Sequence, residues 1–285
     1  MRPYTHFIGV DWSGAKGKSH TGLAVACCSH KGDITVLPPA LLQKHWSRFD
    51  LAASIIQAFD LGSEARLLIG IDTAFSLPYL DYGHYLPSLQ GQSAVEVWQH
   101  IEDICPLDDD YYAGGFVDRY KDFLHLPYIG KGAHYERRLR MAERLCIERR
   151  MGPCESVYHL IGPSQVGMSA FSVMRMLNWV KGTCSIWPFL TRNESQVTLV
   201  EIYAALFSHM GGHKGKVRSF KDLDAILSKL GSTLKSEINI NNDHMTDAII
   251  TAAGLRAIAA DAKYWNPASM TAKVAETEGW IFGVL

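Results

Sequence analysis

Three short apolar runs, each ending on a carboxylate, constrain this chain more than any other feature. Phe7-Ile8-Gly9-Val10 leads into Asp11, and Trp12-Ser13-Gly14 then turns the chain. Leu67-Leu68-Ile69-Gly70-Ile71 leads into Asp72, and Val197-Thr198-Leu199-Val200 leads into Glu201. Such runs read as strands, and each delivers one acid at its C-terminal end. A single acid of this kind can simply accept N–H bonds from the following loop. Several that converge are costly to bury and are best explained by a shared cation.

The elements around these runs predict an α/β fold. Residues 7–11, 22–28 and 33–37 read as an antiparallel meander with tight connections. Ser47 or Asp50 caps a helix carrying Leu51, Ile55, Ile56 and Phe59, and Gly62 closes it. The next strand, 67–72, must then return by a right-handed crossover and lie parallel to the first. Asp11 and Asp72 are thereby expected side by side.

Tyr79 to Gln92 reads as a loop, and Ser93-x-x-Glu96 as a capping box opening a helix to about Ile104. Residues 105–133 have no clear period. Glu136 to Arg150 reads as one helix with six arginines and three glutamates. Its polar face is either a solvated array of Glu–Arg pairs or a surface on which Arg137, Arg138, Arg140 and Arg144 track phosphates. Tyr158–Ile161 is expected to be a strand, and Ser169 to cap a helix over 170–180. The strand 197–201 is expected to run on through Ile202–Phe207. Gly211–Lys216 is a basic loop without phosphate-loop spacing, and Ser219 opens a helix that Gly231 ends. These elements make one domain over 1–285, with 79–157 as a mainly helical insertion.

A fourth acid comes from Asn241-Asn242-Asp243-His244-Met245-Thr246-Asp247, which leads into a helix expected to extend through Ala262. That helix is apolar nearly all round and should be buried. Asp243 and Asp247 are four apart and share a face, with His244 nearly facing Asp247. Asp243 is either the N-cap or a ligand; Asp247, inside the apolar cylinder, needs a partner. Asp11, Asp72, Glu201 and Asp247 together fit a hydrolase with two Mg²⁺ or Mn²⁺ ions ~4 Å apart, and Asp243 and His244 are further candidate ligands. Ser13 and Lys16, in the turn after Asp11, join Arg137, Arg138 and Arg140 as candidate substrate contacts.

Composition sets the class. The 285 residues are 47% hydrophobic and 20% charged, ordinary for a globular protein, and the net charge of −1 gives no global attraction to nucleic acid or membrane. No run approaches the ~18 apolar residues of a membrane span. The six cysteines form no C-x-x-C pair, which argues against a zinc knuckle or disulfide scaffold and for a reduced, cytoplasmic setting.

The segments GVDWSG (9–14), GIDTAFSLP (70–78), VEIYAALF (200–207) and DHMTDAIITAAGLRAIAAD (243–261) resemble the domain-of-unknown-function family 429, whose members are predicted nucleases of the ribonuclease H-like superfamily. The resemblance covers roughly 7–77 and 160–285, and Ala74 stands where the family's second motif usually has Pro. It implies a mixed sheet of strand order 3-2-1-4-5 with flanking helices, and Asp11, Asp72, Glu201 and Asp247 as the acidic site. The His-x-x-Asp at 244–247 is similar to the final helix motif of RuvC-type resolvases. The function expected on this basis is metal-dependent hydrolysis of phosphodiesters in DNA or structured RNA. Two alternatives remain open: an ATP-dependent phosphotransferase of the actin and sugar-kinase type, or a non-catalytic binding module.

Overall fold

The computed structural model describes residues 3–39, 43–87, 89, 91–162, 165–235, 238 and 242–285. In chain order its elements are β1 (His6–Asp11), β2 (Ala24–Ser29), β3 (Asp33–Val36), α1 (Arg48–Ile56), β4 (Leu67–Asp72), α2 (Ala94–Ile104), α3 (Gly114–Tyr120), β5 (His125–Leu126), β6 (Gly130–Lys131), α4 (Met141–Glu148) and α5 (Gly167–Val180). There follow β7 (Ser185–Trp187), β8 (Val197–Glu201), α6 (Ala204–Met210), α7 (Phe220–Lys229), β9 (Thr233–Leu234), α8 (Asp243–Ile258), α9 (Ala262–Trp265) and α10 (Ala272–Thr277). No helix among the described residues is long and apolar enough to cross a membrane.

Seven strands form one mixed sheet in the order β7-β8-β4-β1-β2-β3-β9. The β1–β2 and β2–β3 pairs are antiparallel hairpins, whereas β1–β4 and β4–β8 are parallel. The five strands expected at 7–11, 22–28, 33–37, 67–72 and 197–201 form the middle of this sheet, with β7 and β9 added at the edges. Alternation sorts their side chains to two faces. Ile8, Val10, Ile69, Ile71 and Leu199 share one core with Leu51 of α1, Trp98 of α2 and Phe171 of α5. Phe7, Ala26, Leu68 and Val200 share the other with Phe207 of α6, Ile226 of α7 and Ile249 of α8. The stretch 79–157 is no separate globule, because Val97, Phe116 and Tyr120 belong to the first core.

Helix α8 presses directly onto β1. A Cβ on Gly9 would lie 2.1 Å from the Ala248 carbonyl oxygen and 2.7 Å from the Ala252 nitrogen. Only glycine lets the two backbones approach this closely. The loop after Asp11 is fastened from below by Arg48, which is fully buried. Its guanidinium donates to the carbonyls of Ser13 (2.8 Å), Ala15 (3.0 Å) and Asp110 (2.5 Å). The Asp110 carboxylate in turn accepts from the backbone N–H groups of Arg48 and Phe49 and lies 2.8 Å from His20 Nε2.

Several boundaries differ from the sequence reading. The expected helix 136–150 is only Met141–Glu148, because Arg138 and Arg140 turn inward to acidic partners and hold the preceding residues extended. The expected strand at 158–161 is a single bridge at His159. The run after Glu201 turns into α6 instead of continuing as strand. Helix α5 begins at Gly167, with Ser169 inside it donating to the Val166 carbonyl. Helix α8 stops at Ile258, and its N-cap is Asn242, whose side chain accepts from the His244 N–H. Ser47, Ser93 and Ser219 cap α1, α2 and α7 as expected.

Asp110→Ala leaves the Arg48 charge buried without its partner, which should cost roughly 3–5 kcal/mol in a urea titration. Burial alone would raise the Asp110 carboxyl, but donors from His20, Phe49 and Arg48 outweigh it and hold it below the ordinary value. A depressed carboxyl stabilises the fold above the unfolded-state pKa of ~4 and loses that contribution as pH falls through the folded value. The parent should therefore lose stability on acidification below about pH 4 more steeply than Asp110→Asn.

Candidate functional site

The parallel register of β1 and β4 makes Asp11 and Asp72 direct partners, so both leave the sheet on the same face, the face covered by α8. The close approach at Gly9 brings the first turns of α8 over these strand ends, and Asp247 immediately precedes the contacting Ala248. The three aspartates feel one another. Burial and then the charges of Asp11 and Asp247 push the Asp72 carboxyl well above the ordinary range, and one N–H bond from Ala204 at 3.3 Å offsets this only in part. Burial, then Asp11 and Asp243, push Asp247 up to about 7. Burial also raises Asp11, against the pull of His244, whose Nδ1 lies 2.7 Å from Asp11 Oδ2. That contact raises the His244 imidazole above its usual value.

Glu201 is near enough for its charge to reach Asp72, but its side chain is turned away from them. In the β4–β8 register it stands opposite Ile71, one position before Asp72, so alternation turns its side chain to the other face of the sheet. There it is buried and saturated. Arg140 grips both carboxylate oxygens, at 2.5 and 2.8 Å, and the Phe75 N–H donates at 2.9 Å. The same guanidinium binds Glu143 and the Glu278 carbonyl. Burial opposes the charge on Arg140, but Glu143 and Glu201 outweigh it. The Glu278 carboxylate accepts from the N–H groups of Tyr79, Leu80 and Met141, and the chain beyond it bridges back to Glu201 through Ile281. This network ties α4 and the last residues of the chain to the end of β8.

The remaining candidates divide. Asp243 is engaged by Lys216 and by Arg218, the latter at 2.9 Å. His244 is half exposed at the rim, and a Cβ on Gly22 would meet His244 Nε2 at 3.2 Å and Ser13 Oγ at 3.6 Å, which places Ser13 beside the imidazole. Lys16 is exposed and sits over the Tyr112 ring. Arg138 is buried in an ion pair with Asp81 and also donates to the Pro78 and His84 carbonyls. Arg137 pairs with Glu155 at 2.7 Å while half exposed. Of the three arginines expected at the substrate, two therefore face inward.

Two features escaped the sequence reading. Thr73, directly after Asp72, buries its hydroxyl without a hydrogen-bond partner among the described residues, as does Thr251, one turn beyond Asp247. The loop 211–216 and Arg218, which no motif marks, supply the cations at Asp243. Among the described residues no group of three or more His, Cys, Asp or Glu side chains is arranged to hold a metal ion as it stands. The chemistry of the aspartate cluster still suits a hard cation: oxygen donors and mutual repulsion. Glu201 and Asp243, already neutralised by arginine and lysine partners, do not suit that role. A cleft of about 620 Å³ lined by Thr183, Arg192 and Val197 lies at the opposite, N-terminal end of β8 and brings none of these groups together. No family model matches the chain, and no curated protein or solved structure matches it.

A carboxyl raised on folding destabilises the native state once it ionises. The penalty is absent below the unfolded pKa of ~4 and complete above the folded value, here about 7 for Asp247. In chelator, stability should therefore decline between about pH 4 and 7. Asp247→Asn should flatten that decline and stabilise the protein at pH 8 by on the order of 1 kcal/mol, allowing for partial exposure. Thermal melts in EDTA across this range check it; a variant that melts lower than the parent at pH 8 contradicts the repulsion.

Proposed function

We propose that this chain hydrolyses phosphodiester bonds of nucleic acid with a divalent cation, Mg²⁺ or Mn²⁺, held by Asp11, Asp72 and Asp247 in a ribonuclease H-like fold. The observation that carries the reading is the gathering of three mutually repelling aspartates, from two adjacent parallel strands and one helix start, at the C-terminal edge of a sheet. The central strand order β3-β2-β1-β4-β8 supports it, since it is the 3-2-1-4-5 order implied by the family resemblance. A bound cation would supply an activated water and stabilise the charge on the leaving oxygen.

The chain's own groups have separable tasks. Asp72, fixed by the Ala204 N–H, would hold the cation together with Asp11 of β1 and Asp247 of α8. The contact with Asp11 orients the His244 ring and leaves Nε2 towards Ser13, where it can meet a phosphate oxygen or the attacking water. Lys216 and Arg218 hold Asp243 and also present positive charge beside the cluster. These cations and Lys16 replace Arg138 and Arg140 as the groups open to a phosphate backbone. With Glu201 on the other face and Asp243 neutralised, the donor set amounts to three carboxylates, enough for one ion and short of what a pair would need.

The test is cleavage of single- and double-stranded DNA and RNA with Mn²⁺. Asp11→Asn, Asp72→Asn and Asp247→Asn should each lower the rate at least ~100-fold, in keeping with the contribution of metal-assisted water activation. Lys216→Glu with Arg218→Glu should weaken substrate binding and reduce its salt dependence by about two phosphate contacts. Cleavage at the parent rate by Asp72→Asn would sink the reading.

A further inference from the structure

His125 and His159 face one another across a parallel bridge, 34 positions apart in the chain. The His125 N–H donates to the Tyr158 carbonyl and the Leu160 N–H to the His125 carbonyl, both at 2.9 Å, so the two backbones are fixed on either side of the pair. In such a bridge, side chains at partner positions leave on the same side. Their Nδ1 atoms lie 3.1 Å apart, with the rings at 67° to one another. Both side chains are half-buried, open enough for an aquated ion and its waters.

We infer that His125 and His159 form a second metal site, a two-imidazole clasp for a borderline transition ion such as Zn²⁺, Ni²⁺ or Cu²⁺. Two imidazole nitrogens bound to one ion at ~2.0–2.1 Å and 3.1 Å from each other subtend an angle of ~98°, between the right angle of a square or octahedral site and the tetrahedral angle. The ion therefore enters without a change of backbone or register. One ring now donates through Nδ1 to the other. On binding, that ring keeps its proton as the Nε2–H tautomer, so both Nδ1 lone pairs face the ion and no net proton is lost.

Charged groups of both signs stand near the pair. Desolvation first, and then the proximity of His159 and Lys131, holds the His125 imidazole below its ordinary value. Glu155 is the nearby counter-charge; its Oε1 accepts from Arg137 and from the Ser156 N–H, so it neutralises from the side. Tyr135 packs against the His125 ring and limits its rotation. With two protein ligands, water completes the coordination. Imidazole donors discriminate against Mg²⁺, whereas the aspartate cluster prefers it, so the two sites take different ions. Since β5 lies in the stretch 79–157 and His159 just before α5, the bound ion would pin one to the other.

The inference is independent of the nuclease reading. The experiment is calorimetric titration of the whole chain with Zn²⁺ in excess Mg²⁺, beside the Cu²⁺ EPR spectrum, for the parent, His125→Gln and His159→Gln. Both positions are at the surface, and circular dichroism melts confirm that the variants remain folded. The expected result is one Zn²⁺ bound by the parent, at least tenfold weaker binding in each variant, and a nitrogen hyperfine pattern from two imidazoles that each variant reduces. Absence of Zn²⁺ binding in the parent, or unchanged binding in both variants, overturns it. In the second case the ion is bound by other surface histidines.

Discussion

Carboxylates at the ends of adjacent parallel strands repel one another, and this molecule brings three of them together. The β1–β4 register fixes Asp11 beside Asp72, and Gly9 lets α8 carry Asp247 in over both. Burial raises each carboxyl, Asp11 and Asp247 raise Asp72 further, Asp11 and Asp243 raise Asp247, and Asp243 raises Asp11. Local relief is slight: one N–H from Ala204 and the imidazole of His244. Much of the surrounding architecture holds this arrangement in place. Arg48 pins the loop after β1 through the carbonyls of Ser13 and Ala15, and the apolar cylinder of α8 anchors the helix against the sheet.

Glu201 shows what a satisfied acid looks like in the same protein. It sits on the opposite face with a bidentate guanidinium and a backbone N–H, and Arg140 is shared with Glu143. A buried pair of this kind adds little net stability against an apolar alternative, but removing one partner is expensive. Its role here is to fix position: α4, residues 79–80 and the chain end all close on it through Arg140 and Glu278. The contrast separates the two groups of acids. One is neutralised within the protein and static; the other is left short of positive charge, the condition under which a cation is bound.

The local rules of the sequence located β1 to β4, β8 and the starts of α1, α2 and α7. Apolar runs ending in Asp gave β1 and β4, and the Ser93–Glu96 box gave α2. What local patterning could not supply was register. A shift of one residue between β4 and β8 decides which face an acid takes, and it set Glu201 opposite Ile71 instead of Asp72. The arginine-rich segment misled for a related reason. Helix propensity and charge suggested a solvated helix over 136–150, but the partners that bury Arg138 and Arg140 lie 57 and 61 positions away, at Asp81 and Glu201. Asn242, not Asp243, caps α8, which leaves Asp243 free to meet Lys216 and Arg218.

The central claim is that Asp11, Asp72 and Asp247 bind a divalent cation, and that Glu201 takes no part. Mn²⁺ binding to the intact chain, followed by EPR, tests it without any assumption about substrate. The account predicts one ion with an isolated-Mn²⁺ spectrum, lost in Asp72→Asn. No bound Mn²⁺ would contradict the cation site itself, and an exchange-coupled pair of ions would contradict the three-carboxylate site while leaving metal-dependent hydrolysis standing.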